Sequence, residues 1–271
     1  MPAARSLRCA AVFITVCLVA FTRVAGAQNQ SAPNTPESYQ PQSGQAGKDV
    51  VWVPTPQVAV DKMMELARVG PSDIVMDLGS GDGRTVITAA KLGARAMGIE
   101  YNPEMVEYAQ KNALAAGVSN TASFVKADLF ETDLSRATVI TLFLLPDINL
   151  RLRPKLLDLK PGTRVASNTF TMGDWAPDAE VNLYGDSKCE NSYCKVLFWI
   201  VPQRVAGDYR IAQGELMLKQ EYQMLTGTLK ARGATLEVKG RVVGDEIELS
   251  AGNQRYRGRL MGRTLELREG S

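Results

Sequence analysis

Asp77-Leu-Gly-Ser-Gly-Asp-Gly-Arg84 is the stretch that decides the fold. Its first residues close the apolar run Ile74-Val-Met-Asp-Leu78, which reads as a short buried strand, and Arg84 to Leu92 follow with helical periodicity. Glycines 79, 81 and 83 lie between. Without Cβ atoms they let the chain turn sharply and approach a ligand, and the new helix offers free N–H groups there. Working outward, Pro56 stands at a first helical position ahead of Ala59, Val60, Met63, Met64 and Ala67. Ala94 to Glu100 reads as the next strand. Asn102-Pro103-Glu104 starts a helix that reaches Ala116, with Gly117 just past its end. Ser123 to Ala127 and Val139 to Leu145, apolar but for Thr141, are further strands, Leu150 to Leu157 a short helix, and Thr163 to Ser167 a fifth strand. Ala179 to Tyr184 and Lys195 to Val201 have no helix between them and read as an antiparallel pair. Strands alternating with helices imply a parallel sheet with right-handed crossovers. The expectation for residues 49–202 is therefore an α/β fold: a Rossmann-like mixed seven-strand sheet with helices on both faces.

The chain has 271 residues, enough for one medium and one small domain. Lys+Arg 31 against Asp+Glu 29 gives no basic footprint for nucleic acid. Histidine is absent, which excludes a Ser-His-Asp triad, a Cys-His dyad and imidazole-bound zinc. Chemistry must come from carboxylates, amides, hydroxyls, thiols, lysines or a cofactor.

Residues 1–27 have the layout of a secretory signal peptide. Arg5 and Arg8 precede the apolar run Cys9 to Phe21, and Ala25-Gly26-Ala27 forms a small-residue cleavage site. The expected location is exported, periplasmic or secreted; a retained N-terminal membrane anchor is the alternative. Cleavage would remove three arginines, turning the formal +2 slightly negative, and would leave only Cys189 and Cys194. In an exported chain this C-x4-C spacing reads as one local disulfide, away from the glycine loop by sequence position. A two-cysteine metal site and a redox pair fit the spacing less well. Residues 28–48 are rich in Gln, Ser, Pro and Asn and read as a flexible linker.

Two acids raise the glycine turn above a generic βα loop. Glu100 ends the next strand roughly 20 residues on, where a carboxylate can accept both ribose hydroxyls. Asp128 follows the third strand, near an adenine edge in such a sheet. One turn and two acids at carboxyl ends of strands define one crevice. The spacing G-x-G-x-G, with Asp77 before the turn and Asp82 inside it, disfavours a pyrophosphate. It suits the ammonium and sulfonium of S-adenosyl-L-methionine, with a nicotinamide-dependent enzyme as a lesser alternative.

DLGSGDGR, then GIEYNP, then KADLF, resembles class I (seven-strand) S-adenosylmethionine-dependent methyltransferases. It is most similar to the small protein-lysine methyltransferases such as those acting on ATP-synthase subunit c, which carry a V-P-x-x segment like Val53-Pro-Thr-Pro56 here. The resemblance covers about residues 50–202. It implies that Asp77 orders the loop and faces the methionine end, while Gly79, Ser80, Gly81, Asp82 and Gly83 form the cofactor loop. It implies that Glu100 holds the ribose, with Tyr101 and Asn102 beside the adenosine, and that Asp128 and Leu129 read the adenine. Leu144-Leu-Pro-Asp147 would face the transferring methyl, with Leu145 at the cofactor. The sequence continues Ile-Asn149 and lacks the Asn-Pro-Pro-Tyr of amide and base methylating enzymes. The implied reaction is N-methylation of a protein lysine, with Asp147, or a water near Asn149, as proton acceptor; Asp147 as a plain turn residue remains the other reading. Phe170 and Trp175 follow the fifth strand, where an acceptor channel would run or where they would pack as core.

Residues 203–271 show short alternating strands broken by Arg232-Gly233, Gly244-Asp245 and Ala251-Gly-Asn253, and read as a small β-meander or barrel with an accessory role. Export sits awkwardly with a cofactor made in the cytoplasm. A non-catalytic exported binding protein on the same scaffold therefore stays open at this point.

Overall fold

The computed structural model describes residues 39–189 and 191–270. The signal-peptide reading of residues 1–27 lies outside the described residues. Among the described residues no helix is long and apolar enough to cross a membrane.

The first half alternates helix and strand: α1 (Gln57–Leu66), β1 (Ile74–Leu78), α2 (Arg84–Lys91), β2 (Arg95–Glu100), α3 (Pro103–Ala115), β3 (Ala122–Lys126), β4 (Val139–Leu142), α4 (Pro146–Leu157) and β5 (Arg164–Asn168). The hairpin β6 (Ala179–Asn182) and β7 (Lys195–Ile200) completes it. The strands form one sheet in the order β3-β2-β1-β4-β5-β7-β6. The first five are parallel, and β7 runs antiparallel to both β5 and β6. Successive side chains of a strand point to opposite faces, and the core divides accordingly. Val75, Val139, Ala166 and Val196 pack under α1, α2 and α3 with Met63, Val86 and Val106. Their neighbours Met76, Ile140, Val165 and Leu197 pack under α4 with Leu152, Leu156 and Trp199. With both faces covered, the strands read as continuous apolar runs and not as alternating ones.

Local chemistry sets the boundaries. The Asn102 carboxamide oxygen accepts the Glu104 N–H at 2.9 Å, and Pro103 supplies a preset first residue for α3. Pro56 caps α1 and does not begin it. The fourth strand ends at Leu142, three residues short of expectation, and α4 starts at Pro146, not at Leu150. Leu-Leu-Pro fits a strand end by composition, but a proline also fits the first turn of a helix, where its missing N–H is no loss.

The second half is β8 (Gly207–Ile211), β9 (Gly214–Glu221), β10 (Met224–Ala231), β11 (Ala234–Val243), β12 (Glu246–Ala251), β13 (Gln254–Met261) and β14 (Thr264–Gly270). These seven strands pair strictly in sequence order. The sheet is curled, with β8 and β14 brought close together. Its inner face buries Leu216, Leu225, Val238, Ile247, Leu249 and Tyr256, each Leu, Ile or Val gaining roughly 1.5–3 kcal/mol on burial, so this sheet has a core of its own. The Arg232-Gly233 turn has both residues at positive φ (50° and 79°), the twist that closes a two-residue hairpin.

A seam joins the halves. Gln223 donates to the Ala176 carbonyl at 2.7 Å, and Arg241 pairs with the half-buried Asp178 at 2.6 Å. Tyr222 stacks on Trp175 with centroids 6.3 Å apart. The expected linker is not all linker either. In residues 39–48 Tyr39 meets Tyr108 edge to face, and backbone bonds tie Gly44 to the Trp52 carbonyl and Trp52 to the Gln45 carbonyl. Polar composition hid this, because the contacts that order the segment come from elsewhere in the chain.

Candidate active site

The carboxyl ends of β1, β2 and β4 open into a cleft of about 1050 Å³, mouth included. The glycine loop is fixed from below: the N–H groups of Gly79 and Ser80 both donate to the Ile99 carbonyl, at 2.8 and 3.1 Å. Glu100 spans the loop and the next turn. One carboxylate oxygen accepts the Gly81 N–H at 3.0 Å, and the other accepts the Asn102 N–H at 3.0 Å. Gly81 has φ 52°, and the Trp52 indole occupies the space a Cβ would need. Gly83 has φ 83°, and a Cβ there would stand 2.7 Å from the Phe124 ring. Any side chain at either position would open the loop.

Asp77 lies at the cleft floor. The Thr141 hydroxyl donates to it at 2.6 Å. Burial pushes its carboxyl up to about 7; the Thr141 bond pulls the other way, and the negative charges of Asp82 and Glu100 push it further up. Asp82 is already paired, with the Arg84 guanidinium against both carboxylate oxygens at 2.7–3.1 Å. Its charge is thus partly neutralised within the loop.

At the far end Asp128 accepts the Phe130 N–H at 2.8 Å and pairs with Lys48 at 2.5 Å. The Lys48 hydrogen bond and the Phe130 N–H hold the Asp128 carboxyl below its usual range, and Asp128 in turn raises Lys48. The ammonium also lies 4.7 Å from the centre of the Tyr101 ring. Residues 45–55 form a strap along this side of the cleft.

Asp77, Gly79, Ser80, Asp82, Glu100, Tyr101, Asn102, Asp128 and Leu129 therefore share one cleft. Gly81 and Gly83 shape the loop without lining it. Leu145, Asp147 and Asn149 do not line it either. Because α4 begins at Pro146, Leu145 and Asp147 face solvent. Asn149 turns into the core and donates to the carbonyls of Phe170 and Thr171, at 3.3 and 3.1 Å. It positions the chain after β5 and is not open to a water in the cleft. Of the expected Leu144–Asp147 stretch only Leu144 lines the cleft, and Phe143, one residue before it, completes the wall. Trp175 is fully buried between Trp199 and Tyr222, so it is core and not channel.

Sequence reasoning missed Lys48, Trp52, Thr141 and Phe143. Only Trp52 carried a signal, as a lone aromatic beside the Val53-Pro-Thr-Pro56 segment. The Cys189–Cys194 disulfide is present, with Cα atoms 6.1 Å apart. Its loop is not remote from the cleft. Tyr193 packs on Phe143 at 5.2 Å, and the Asn191 amide donates to the Pro54 carbonyl at 3.2 Å.

The cleft suits an adenosyl group with a cationic tail. Glu100 is held by two backbone N–H groups and keeps lone pairs for hydroxyls. The buried Ser80 hydroxyl has no partner among the described residues. Asp77, when ionised, puts negative charge on the cleft floor.

A family model described as the ANTKMT methyltransferase domain matches residues 77–179. The chain is 44% identical over 151 residues to a protein-lysine N-methyltransferase of Saccharolobus islandicus, covering 55% of this chain and 94% of that protein. It is 39% identical to the adenine nucleotide translocase lysine N-methyltransferase of Mus musculus over 45% of this chain, and it spans about half (54%) of that enzyme. Among solved structures, an RNA methyltransferase from Salinibacter ruber in complex with S-adenosyl-L-homocysteine is 49% identical, with a TM-score of 0.53, covering 58% of this chain and 98% of that one.

Proposed function

The chain belongs to the S-adenosylmethionine-dependent protein-lysine N-methyltransferase family, and from that premise we propose that it methylates the side-chain amine of a lysine in a protein substrate. One observation carries the reading: the Gly79–Gly83 loop, Asp77, Glu100 and Asp128 converge on one cleft beside an apolar wall. The cofactor supplies an activated methyl group for in-line displacement by a nucleophile. In this reading Glu100 accepts the ribose hydroxyls, the Gly79-Ser80 backbone flanks the methionine end over Asp77, and Asp128 with the Leu129 N–H takes the adenine edge. Phe143 and Leu144 exclude water and align the amine. The amine must first lose a proton against a pKa near 10.4. Asp147, exposed on α4, is not within the cleft wall, so the proton goes to water at the cleft mouth.

We place the reaction outside the cytoplasm, on the strength of the signal-like residues 1–27; a retained anchor would instead hold the domain at a membrane surface. We also take the acceptor to be protein and not nucleic acid, because Lys+Arg 31 and Asp+Glu 29 nearly balance and the relatives named as lysine N-methyltransferases act on protein. Transfer of labelled methyl from S-adenosylmethionine to a mixed protein extract, to the same extract with its lysines acetylated, and to RNA tests the reading. Label in untreated protein that disappears on acetylation is expected. Label in RNA, or label insensitive to acetylation, overturns it.

A further inference from the structure

Three aromatic rings meet where the cleft wall ends. Phe143 follows β4 and lines the cleft, Phe170 follows β5, and Tyr193 comes from the disulfide loop. Their centroids are 6.0 Å apart for Phe143 and Phe170, 5.2 Å for Phe143 and Tyr193, and 6.0 Å for Phe170 and Tyr193. All three are only half-buried, whereas Trp175 and Trp199 nearby are fully buried. A cluster of this size at the core would be covered completely; this one stays partly exposed, and through Phe143 it adjoins the cleft.

The fold uses unusual local structure to hold these rings. Thr169, a β-branched residue, takes a left-handed φ of 66°, a conformation such residues adopt only when their surroundings enforce it. The Ser167 hydroxyl donates to the Phe170 carbonyl at 2.8 Å, and the buried Asn149 amide donates to the same carbonyl from α4. On the other side the Tyr193 N–H donates to the Asn191 carboxamide at 2.8 Å, Asn191 reaches the Pro54 carbonyl, and the disulfide closes the loop.

We propose that Phe143, Phe170 and Tyr193 form the acceptor wall, a π surface across which the alkyl chain and cationic nitrogen of the acceptor lie, and that the Cys189–Cys194 disulfide sets Tyr193 in it. The proposal rests on the lysine-methylation reading and adds the residues that select the acceptor. The rings touch one another, so they offer a surface and not a box. An aliphatic stem packs on ring faces, and an alkylammonium is drawn to the negative face of each ring. A methylated product keeps its charge and spreads it over more apolar surface, so the same wall would hold substrate and product for successive transfers.

The test uses the full chain saturated with S-adenosylhomocysteine and three probes followed by NMR. They are Nα-acetyl-Nε-trimethyl-lysine amide, its uncharged tert-butyl isostere, and uridine as a flat neutral stacker. The trimethyl-lysine probe should shift the ring signals of all three residues and bind about tenfold more tightly than the isostere. Tyr193→Ala, Phe170→Ala and disulfide reduction should each weaken the probe several-fold, with cofactor affinity by calorimetry unchanged. Tyr193→Phe, which keeps the ring, should bind as the unaltered chain does and guards against misfolding as an explanation. Equal affinity for charged and uncharged probes, preference for uridine, or no effect of Tyr193→Ala overturns the proposal. If S-adenosylhomocysteine itself does not bind, the methyltransferase reading falls and this proposal with it.

Discussion

The two sheets of the described residues contain seven strands each and play different parts. In the first, neighbours in space are distant in sequence, so each parallel strand must be followed by a long connection. Those connections emerge at the carboxyl ends, and there the glycine loop, Glu100, Asp128 and Phe143 reside. In the second, each strand pairs with the next through a tight turn. Tight turns leave no loop free to carry chemistry, and the charged side chains of the outer face pair across strands, as Arg257 does with Glu248 and Arg259 with Glu246. Architecture alone thus assigns the site to one half and support to the other.

The seam tests that division most severely. Trp175→Ala removes a fully buried ring shared by both halves and should cost about 3–5 kcal/mol. Urea unfolding followed by tryptophan fluorescence and by far-ultraviolet dichroism should show one shifted transition. Two transitions with only one displaced would mean that the sheets unfold independently.

Glu100→Ala tests the other side of the comparison, altering the site and not the scaffold. Losing a carboxylate that makes charge-assisted bonds should cost about 1.5–3 kcal/mol of binding, a 10- to 100-fold weaker S-adenosylhomocysteine dissociation constant. Unchanged affinity in calorimetry would put the ribose elsewhere.

The pH response sharpens the same point. Asp77 is raised to about 7 in the free protein. With its folded value above the ordinary carboxylate range, ionisation opposes folding, so this group's contribution to stability is lost as pH rises from about 4 through 7. A cationic ligand favours the ionised form. S-adenosylmethionine affinity should therefore climb by at most about tenfold per pH unit up to about pH 7 and then level. S-adenosylhomocysteine, without the sulfonium charge, should respond less, and Asp77→Asn should flatten both curves. Equal slopes for the two ligands in the unaltered chain would separate Asp77 from the cationic end.

Two smaller effects finish the series. Gln223→Ala, in the seam, should lower stability by about 1 kcal/mol and leave S-adenosylhomocysteine binding untouched. Lys48→Ala should strengthen that binding by a few-fold at most, because the exposed pair with Asp128 must open to admit an adenine. Weaker binding would instead make Lys48 a ligand-holding group.

How legible all this was in the sequence follows from the range of the interactions. Ile74 to Leu78 and Val139 to Leu142 announce themselves as strands because burial on both faces demands mainly apolar runs, each interrupted here by one residue of the Asp77–Thr141 pair. Glu100 and Asp128 could be placed by spacing, since Glu100 ends β2 and Asp128 lies two residues past the end of β3, strands whose length is set locally. Lys48 and Trp52 could not. Lys48 sits in a polar segment and Trp52 in a short apolar run just after it, and their position comes from Tyr39 meeting Tyr108 and from Lys48 meeting Asp128, partners far along the chain. Asn149 misled for a related reason. A one-turn error in where α4 begins moves a side chain from the cleft to the core, and the proline that decides the matter also fits a strand end.

The nearest-neighbour pairing of the second sheet also fixes a sequence of events in time. Contacts between adjacent hairpins close short loops and form quickly, whereas β1 must wait for β4 to be brought back across the intervening chain before the first sheet has its centre. On refolding, the half that is last from the N-terminus should therefore be first to reach its native pairing. It would then present the Tyr222-Gln223 turn as a ready surface on which the slower half assembles.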